Sequence, residues 1–209
     1  MEHHMFSAKD ILIKQLTKEE ILAIYTTHSV RHFPANERKP VSSIKRMADE
    51  GIYIGYGLVC RQNPGQLLGY AFFTVLPQGK TSLLDYFAVM ENYRSHGIGS
   101  LFLQQIKTNP ADYDGFLIES EDPDYAQDAR ELSVRSKRLS FYKKNGAVPA
   151  GLNARVFGVS YRLLYFPIQA TEIPSSDILC LDFGRIYRRM VSPENYEFHV
   201  HIFSSEDSR

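Results

Sequence analysis

The sequence predicts an α+β domain with a mixed central sheet flanked by helices, and three observations carry that expectation. Three apolar runs, residues 52–60, 67–76 and 82–90, follow one another with only short turns between them, the pattern of an antiparallel meander. Beyond residue 100 the period changes, and helical and strand-like segments alternate in a strand–helix–strand–helix section, which adds the mixed character. A chain of 209 residues with 44% apolar side chains is also long enough to bury a sizeable core.

Element by element, "DILIKQL" (10–16) alternates apolar and polar residues and reads as a strand. Thr17 with Glu20 makes a capping box, so a helix opens there and runs through "ILAIYTTHSVRHF" until Pro34 and "ANERKP" break it. A second helix fits 41–50, ending at Gly51. The first two runs of the meander are joined by "RQNPGQ", whose Asn-Pro-Gly is turn chemistry, and "PQGK" leads to the third. Then come a helix over 100–107, a compact strand over 114–120, a helix over 129–145 stopped by Asn145-Gly146, and two strands within 152–168. A helix over 177–190 and the alternating run "YEFHVHIF" close the chain. Residues 1–168 form one domain in this reading, and 169–209 an extension packed on it or used in an oligomer contact.

Composition narrows the function classes. Basic and acidic residues balance at 24 each, and 23% of the chain is charged, which argues against disorder and against a polyelectrolyte that binds nucleic acid. No apolar run reaches the about 20 residues a bilayer-spanning helix needs, and "MEHHMFSAKD" has no apolar signal core. Cys60 and Cys180 are isolated and lack metal or redox spacing, which fits a reducing cytosol. These features describe a soluble cytoplasmic protein with neither a nucleic-acid nor a membrane partner.

The stretch "ENYRSHGIGSLF" (91–102) carries the chemistry. It ends a strand and opens a helix, where unpaired backbone N–H groups and the helix dipole favour an anion. Gly97 and Gly99 let the backbone approach a ligand closely, Arg94 adds a forked cation, and Ser95 and Ser100 add hydroxyls. Phe102 occupies the third glycine position of a dinucleotide fingerprint, and the Lys-Ser/Thr pair of a P-loop is missing.

In its order of residues, "LDYFAVMENYRSHGIGSLFLQQI" resembles the acyl-CoA-binding motif of the GNAT superfamily of N-acetyltransferases, Arg/Gln-x-x-Gly-x-Gly/Ala, with Arg94, Gly97 and Gly99 at its three fixed positions. "LSFYKKNGAV" is similar to the family's second hallmark, a helix with a tyrosine that ends in glycine, here Tyr142 and Gly146. The resemblance covers residues 10 to 168 and implies a GNAT-like fold. It also implies direct acyl transfer from acetyl-CoA, the co-substrate, to a primary amine, with no covalent enzyme intermediate and no metal.

The resemblance assigns the pyrophosphate to Arg94, Ser95, His96, Gly97, Ile98, Gly99 and Ser100, and the pantetheine arm and thioester to the backbone of Phe87, Ala88 and Val89. An amide there could also stabilise the oxyanion, worth about 3 kcal/mol. Tyr142 is the implied proton donor to the departing thiolate, against a plain role as a core aromatic. For the base, Asp85 stands out as a carboxylate in the apolar run "LLDYFAV", either at the acceptor cleft or else in a salt bridge or at a solvent-facing edge. Glu119, ending the next strand, is the second candidate, against an exposed strand end. Phe33 and Glu37, in "FPANE", are possible acceptor contacts or ordinary turn packing. Five acids within 119–129 could attract a cationic small-molecule amine or simply form a solvated loop. The basic residues of 130–144 face the same choice between the CoA 3′-phosphate and solvent. A longer acyl donor, or a CoA-binding module without transfer activity, stays open. In "FHVHIF", His199 and His201 share one face of a strand, without the third ligand a metal needs. Phe198, Val200 and Ile202 share the other face, suited to the core or to a second subunit in a homodimer.

Overall fold

The computed structural model describes residues 6–108, 113–170 and 172–205; the start of the segment tested for a signal core lies outside them. The chain forms two compact units, Met1–Val75 with Leu84–Asn109, and Leu76–Leu83 with Pro110–Arg209. Both combine helices with strands, so the α+β expectation holds.

In the first unit β1 (Ile11–Gln15) leads into α1 (Lys18–Ile24). The capping box is made as the sequence predicts: Glu20 N–H donates to Thr17 Oγ1 at 3.2 Å, and Thr17 N–H donates to Glu20 Oε2 at 2.9 Å. The helix then departs from expectation. Residues Tyr25–Ser29 form a π-helical turn before the short α2 (Val30–His32), and Phe33, just before Pro34, is extended. After α3 (Val41–Asp49), Gly51 takes a φ of +71° and turns the chain into β2 (Tyr53–Cys60).

The antiparallel β2–β3 ladder runs from Tyr53↔Thr74 to Cys60↔Asn63, with register shifts at its closed end. That end differs from the sequence reading. β3 (Asn63–Thr74) already contains Asn63, Pro64 and Gly65, so the turn falls at Arg61 and Gln62. Pro64 is exposed, and the adjoining shifts leave Val59 opposite Leu67. The strand order is β1-β2-β3-β4, with β4 at Thr81–Val89, and α4 (Ile98–Thr108) packs on β1 and β3. Buried Ile21, Ile44, Met47, Phe72, Phe102 and Leu103 make this unit's core.

In the second unit the strand order is β5-β7-β6-β8, every pairing antiparallel: β5 (Gly115–Glu121), β6 (Val148–Val156), β7 (Val159–Pro167) and β8 (Val200–Ser204). The helix α5 (Ala129–Lys144) is capped by Asp128, whose carboxylate accepts from Glu131 N–H at 2.7 Å, and Gly146 (φ +104°) ends it. α6 (Ser176–Met190) packs against β6 and β8, burying Leu179, Phe183 and Ile186.

The end of the chain corrects the sequence reading. Residues Pro193–His199 form the helix α7, and the strand begins only at Val200. Ser192 accepts from Asn195 N–H at 3.3 Å and Pro193 takes the first turn, a start signal that overrides the alternation downstream. His199 therefore sits on a helix and His201 on a strand, and Phe198 is exposed while Val200 is buried. Among the described residues no helix is long and apolar enough to cross a membrane.

Candidate active site

The expected cofactor residues belong to the first unit. β4 ends at Val89, and a single 3-10 turn at Glu91–Tyr93 leads to Arg94. The Arg94 Nε donates to Val89 O at 3.0 Å, so the guanidinium is tied to the end of the strand while the residue stays exposed. Ser95 and Gly97 both take positive φ, 65° and 75°. Leu101 N–H donates to Gly97 O at 3.1 Å, the first helical bond of α4. A Cβ on Gly97 would meet nothing within 4 Å, so conformation rather than crowding calls for glycine there. Ser95, His96 and Gly97 are exposed, and Ile98 is buried, anchoring the helix start. The turn thus presents the free amides of a helix start beside one cation, an arrangement able to receive a pyrophosphate.

Upstream, β3 and β4 come very close at Gly69. A Cβ there would lie 2.8 Å from the Ala88 carbonyl oxygen, so only glycine leaves Ala88 in place. Phe87 packs on Phe102 of α4, ring centroids 5.4 Å apart.

A group of buried tyrosines forms in the same unit. Tyr25 OH donates to Lys39 O at 2.6 Å, Lys39 N–H donates to Tyr86 OH at 3.0 Å, and Tyr86 OH donates to Glu37 O at 3.0 Å. Phe33 sets its ring edge-on to Tyr86, centroids 4.8 Å apart. The structure thus uses Phe33 and the Glu37 backbone to fasten the loop after α2 onto β4. Burial pushes the phenols of Tyr25, Tyr53 and Tyr86 well above their ordinary pKa, and that of Tyr70 up to about 12.

Asp85 is committed on both oxygens: Lys39 Nζ lies 2.5 Å from Oδ1, and Tyr53 OH donates to Oδ2 at 2.7 Å. Its side chain is 3% exposed. A buried carboxylate with a cation and a phenol on it is the salt-bridge alternative weighed for this residue.

The second unit holds Glu119 and Tyr142. The Tyr187 hydroxyl lies 2.7 and 2.9 Å from the two Glu119 oxygens and shares its single hydrogen with the carboxylate, so the helix α6 reaches one of the expected site residues. Tyr142 is buried on α5, and burial raises its phenol to about 12, with Arg138 pulling slightly the other way. The acids at the end of β5 and just after it are largely paired. Glu121 meets Arg135 and Arg138, and Asp122 and Asp124 both meet Arg162. That pairing also accounts for two of the basic residues of α5. A pocket of about 570 Å³ lies beside this network, lined by Asp122, Tyr125, Lys143, Asn153 and Arg162 among others, and none of the expected site residues lines it.

Comparison with known proteins joins these observations. Residues 20–116, which include β2 to β4, the Arg94 turn and α4, match the model of the acetyltransferase (GNAT) family. Over that stretch, just under half of its length, the chain is similar to the GNAT acetyltransferases. A protein of Bacteroides thetaiotaomicron assigned to that family superposes with a TM-score of 0.64 at 12% identity, over 85% of this chain and 96% of its own. The ribosomal-protein-S18-alanine N-acetyltransferase of Escherichia coli gives 0.52 at 16% identity, over 78% and 96%. Spermidine N-acetyltransferase of Vibrio cholerae, solved with CoA and spermine, gives 0.53 at 7% identity, over 77% and 96%. At these identities the solved structures establish a shared GNAT fold. No curated protein matches the sequence.

Sequence reasoning overlooked Lys39, Tyr53 and Tyr187, which contact Asp85 and Glu119, and Tyr70, which contacts His32. The three tyrosines offered one signal, a phenol whose hydroxyl has to find a partner once buried, whereas Lys39 in the polar stretch "ANERKP" offered none.

Proposed function

We propose that this protein is a GNAT enzyme that transfers the acetyl group of acetyl-CoA to a primary amine by direct attack. The observation that carries the reading is the turn from Arg94 to Gly97, exposed and tied back to Val89, with the free amides of α4 behind it. Residues Arg94 to Ser100 hold the pyrophosphate, and the backbone of Phe87, Ala88 and Val89 takes the pantetheine arm and thioester. Gly69 supports that strand edge by leaving Ala88 undisturbed. Tyr142 stays protonated across the neutral range and offers its hydrogen to the CoA sulfur as negative charge grows there. The geometry supports positioning roles for Asp85, whose two oxygens take Lys39 and Tyr53, and for Glu119, which is engaged by the Tyr187 hydroxyl. We take the acceptor to be a small-molecule amine, the class named for the Vibrio cholerae relative.

The test is release of free CoA thiol from acetyl-CoA with spermidine and an alanine-starting peptide as acceptor probes. Amine-dependent release supports the reading, and preference between the probes sorts small-molecule from peptide acceptors. Absence of release with water and with both amines sinks it.

A further inference from the structure

We propose that His32 is the group that takes the proton from the acceptor ammonium, positioned by Tyr70; the inference rests on the acyl-transfer reading above. His32 Nδ1 lies 2.9 Å from the Tyr70 hydroxyl, and the two rings run nearly parallel, 17° apart with centroids 5.6 Å apart. Tyr70 is fully buried on β3, and its hydroxyl also meets Ser29 Oγ at 3.2 Å. Ser29 closes the π-helical turn and His32 ends the short helix after it, three residues on, so both reach the same phenol. Among the described residues Nε2 has no hydrogen-bond partner, so one ring nitrogen is anchored and the other is open. We assign the tautomer in which Nδ1–H donates to Tyr70, which leaves the lone pair on Nε2.

The electrostatic setting suits a base. Burial is the main cause lowering the imidazole pKa, and the Arg94 guanidinium is the second. His28 and Arg31 add smaller effects in the same direction, and Glu91 opposes them. Of the groups around it, His28 and Arg31 share its helical segment, Glu91 and Arg94 lie on the turn after β4, and Tyr70 lies on β3. Tyr70 directly follows Gly69, where β3 comes against the Ala88 carbonyl, so the pair stands beside the strand edge assigned to the thioester. A neutral imidazole is the form that can accept a proton at neutral pH.

The step balances. One ammonium proton passes to Nε2 and on to water, and the freed nitrogen lone pair attacks the thioester carbon. The C–N bond forms and the C–S bond breaks, its electron pair leaving on sulfur. The second proton lost from nitrogen as the amide forms is matched by the one the sulfur gains. No oxidant or reductant takes part.

The experiment compares wild type, His32→Gln and Tyr70→Phe in the CoA-release assay between about pH 5 and 9, with acetyl-CoA affinity measured by calorimetry. His32→Gln is expected to lower kcat/KM about 100-fold and to abolish its fall on the acid side, while acetyl-CoA affinity is unchanged. Tyr70→Phe removes the acceptor of Nδ1–H and is expected to move the acid-side fall to lower pH. Should His32→Gln also lose acetyl-CoA binding, the Tyr70→Phe profile decides, and an unmoved profile overturns the proposal. Turnover of His32→Gln within about twofold of an active wild type, or an acid limb it retains, overturns it as well, leaving the acyl-transfer reading intact. A wild type that releases no CoA removes both.

Discussion

Replacing Asp85 by asparagine keeps the shape of the side chain and removes its charge. The carboxylate is 3% exposed and faces Lys39 Nζ at 2.5 Å and the Tyr53 hydroxyl at 2.7 Å. An amide oxygen can retain one of these bonds, so the change strands the Lys39 ammonium and weakens a second contact. Breaking a buried ion pair from one side costs about 3–5 kcal/mol. The Lys39 side chain is 22% exposed and can turn partly to water, which brings the expectation to about 2–3 kcal/mol. With a urea slope of about 2 kcal/mol/M, the unfolding midpoint should fall by about 1–1.5 M. Lys39→Met added to Asp85→Asn removes the stranded cation and should recover at least about 1 kcal/mol, the sign of coupling in a double-mutant cycle. A single-variant loss below about 0.5 kcal/mol, or strict additivity in the cycle, would refute the reasoning. The same proteins separate scaffold from base: folded Asp85→Asn should keep most of its CoA-release activity.

Gly69→Ala should cost about 1–3 kcal/mol in urea unfolding, because the new methyl meets the Ala88 carbonyl oxygen at 2.8 Å and that backbone cannot step aside; unchanged stability would show that β3 and β4 give way freely. His32 also links stability to pH. Its folded pKa is lowered, so the unfolded chain binds more protons in the interval between the two values. The contribution is complete above the unfolded value of about 6.5 and is lost as pH falls through the folded one. The stability of wild type relative to His32→Gln should therefore shrink on acidification, and a gap that widens would mean the imidazole is not held neutral.

What the sequence made legible was local. The Thr17–Glu20 capping box, the Gly51 and Gly146 stops and the Arg94–Gly99 turn are written in consecutive residues, and each forms as read. The π-helical turn at Tyr25–Ser29 was not legible, since Tyr25 is held by Lys39 and Tyr86, partners 14 and 61 residues away. Asp85 was recognisable as an anomaly, but Lys39, which explains it, lies 46 residues off. His32 looked like one histidine among seven until folding set it against Tyr70. Alternation in "YEFHVHIF" suggests a strand throughout, but Ser192 and Pro193 start a helix that runs to His199 and leaves the strand only from Val200.

Titration calorimetry of the protein with acetyl-CoA, wild type beside Arg94→Ala, addresses the cofactor turn directly. Arg94 is exposed, so its loss should leave the fold intact. The account predicts saturable binding by wild type and about tenfold weaker binding by Arg94→Ala, the scale of one charge-assisted contact. Equal affinity in the two proteins would contradict the assignment of the turn, and absence of binding by wild type would contradict the use of acetyl-CoA itself.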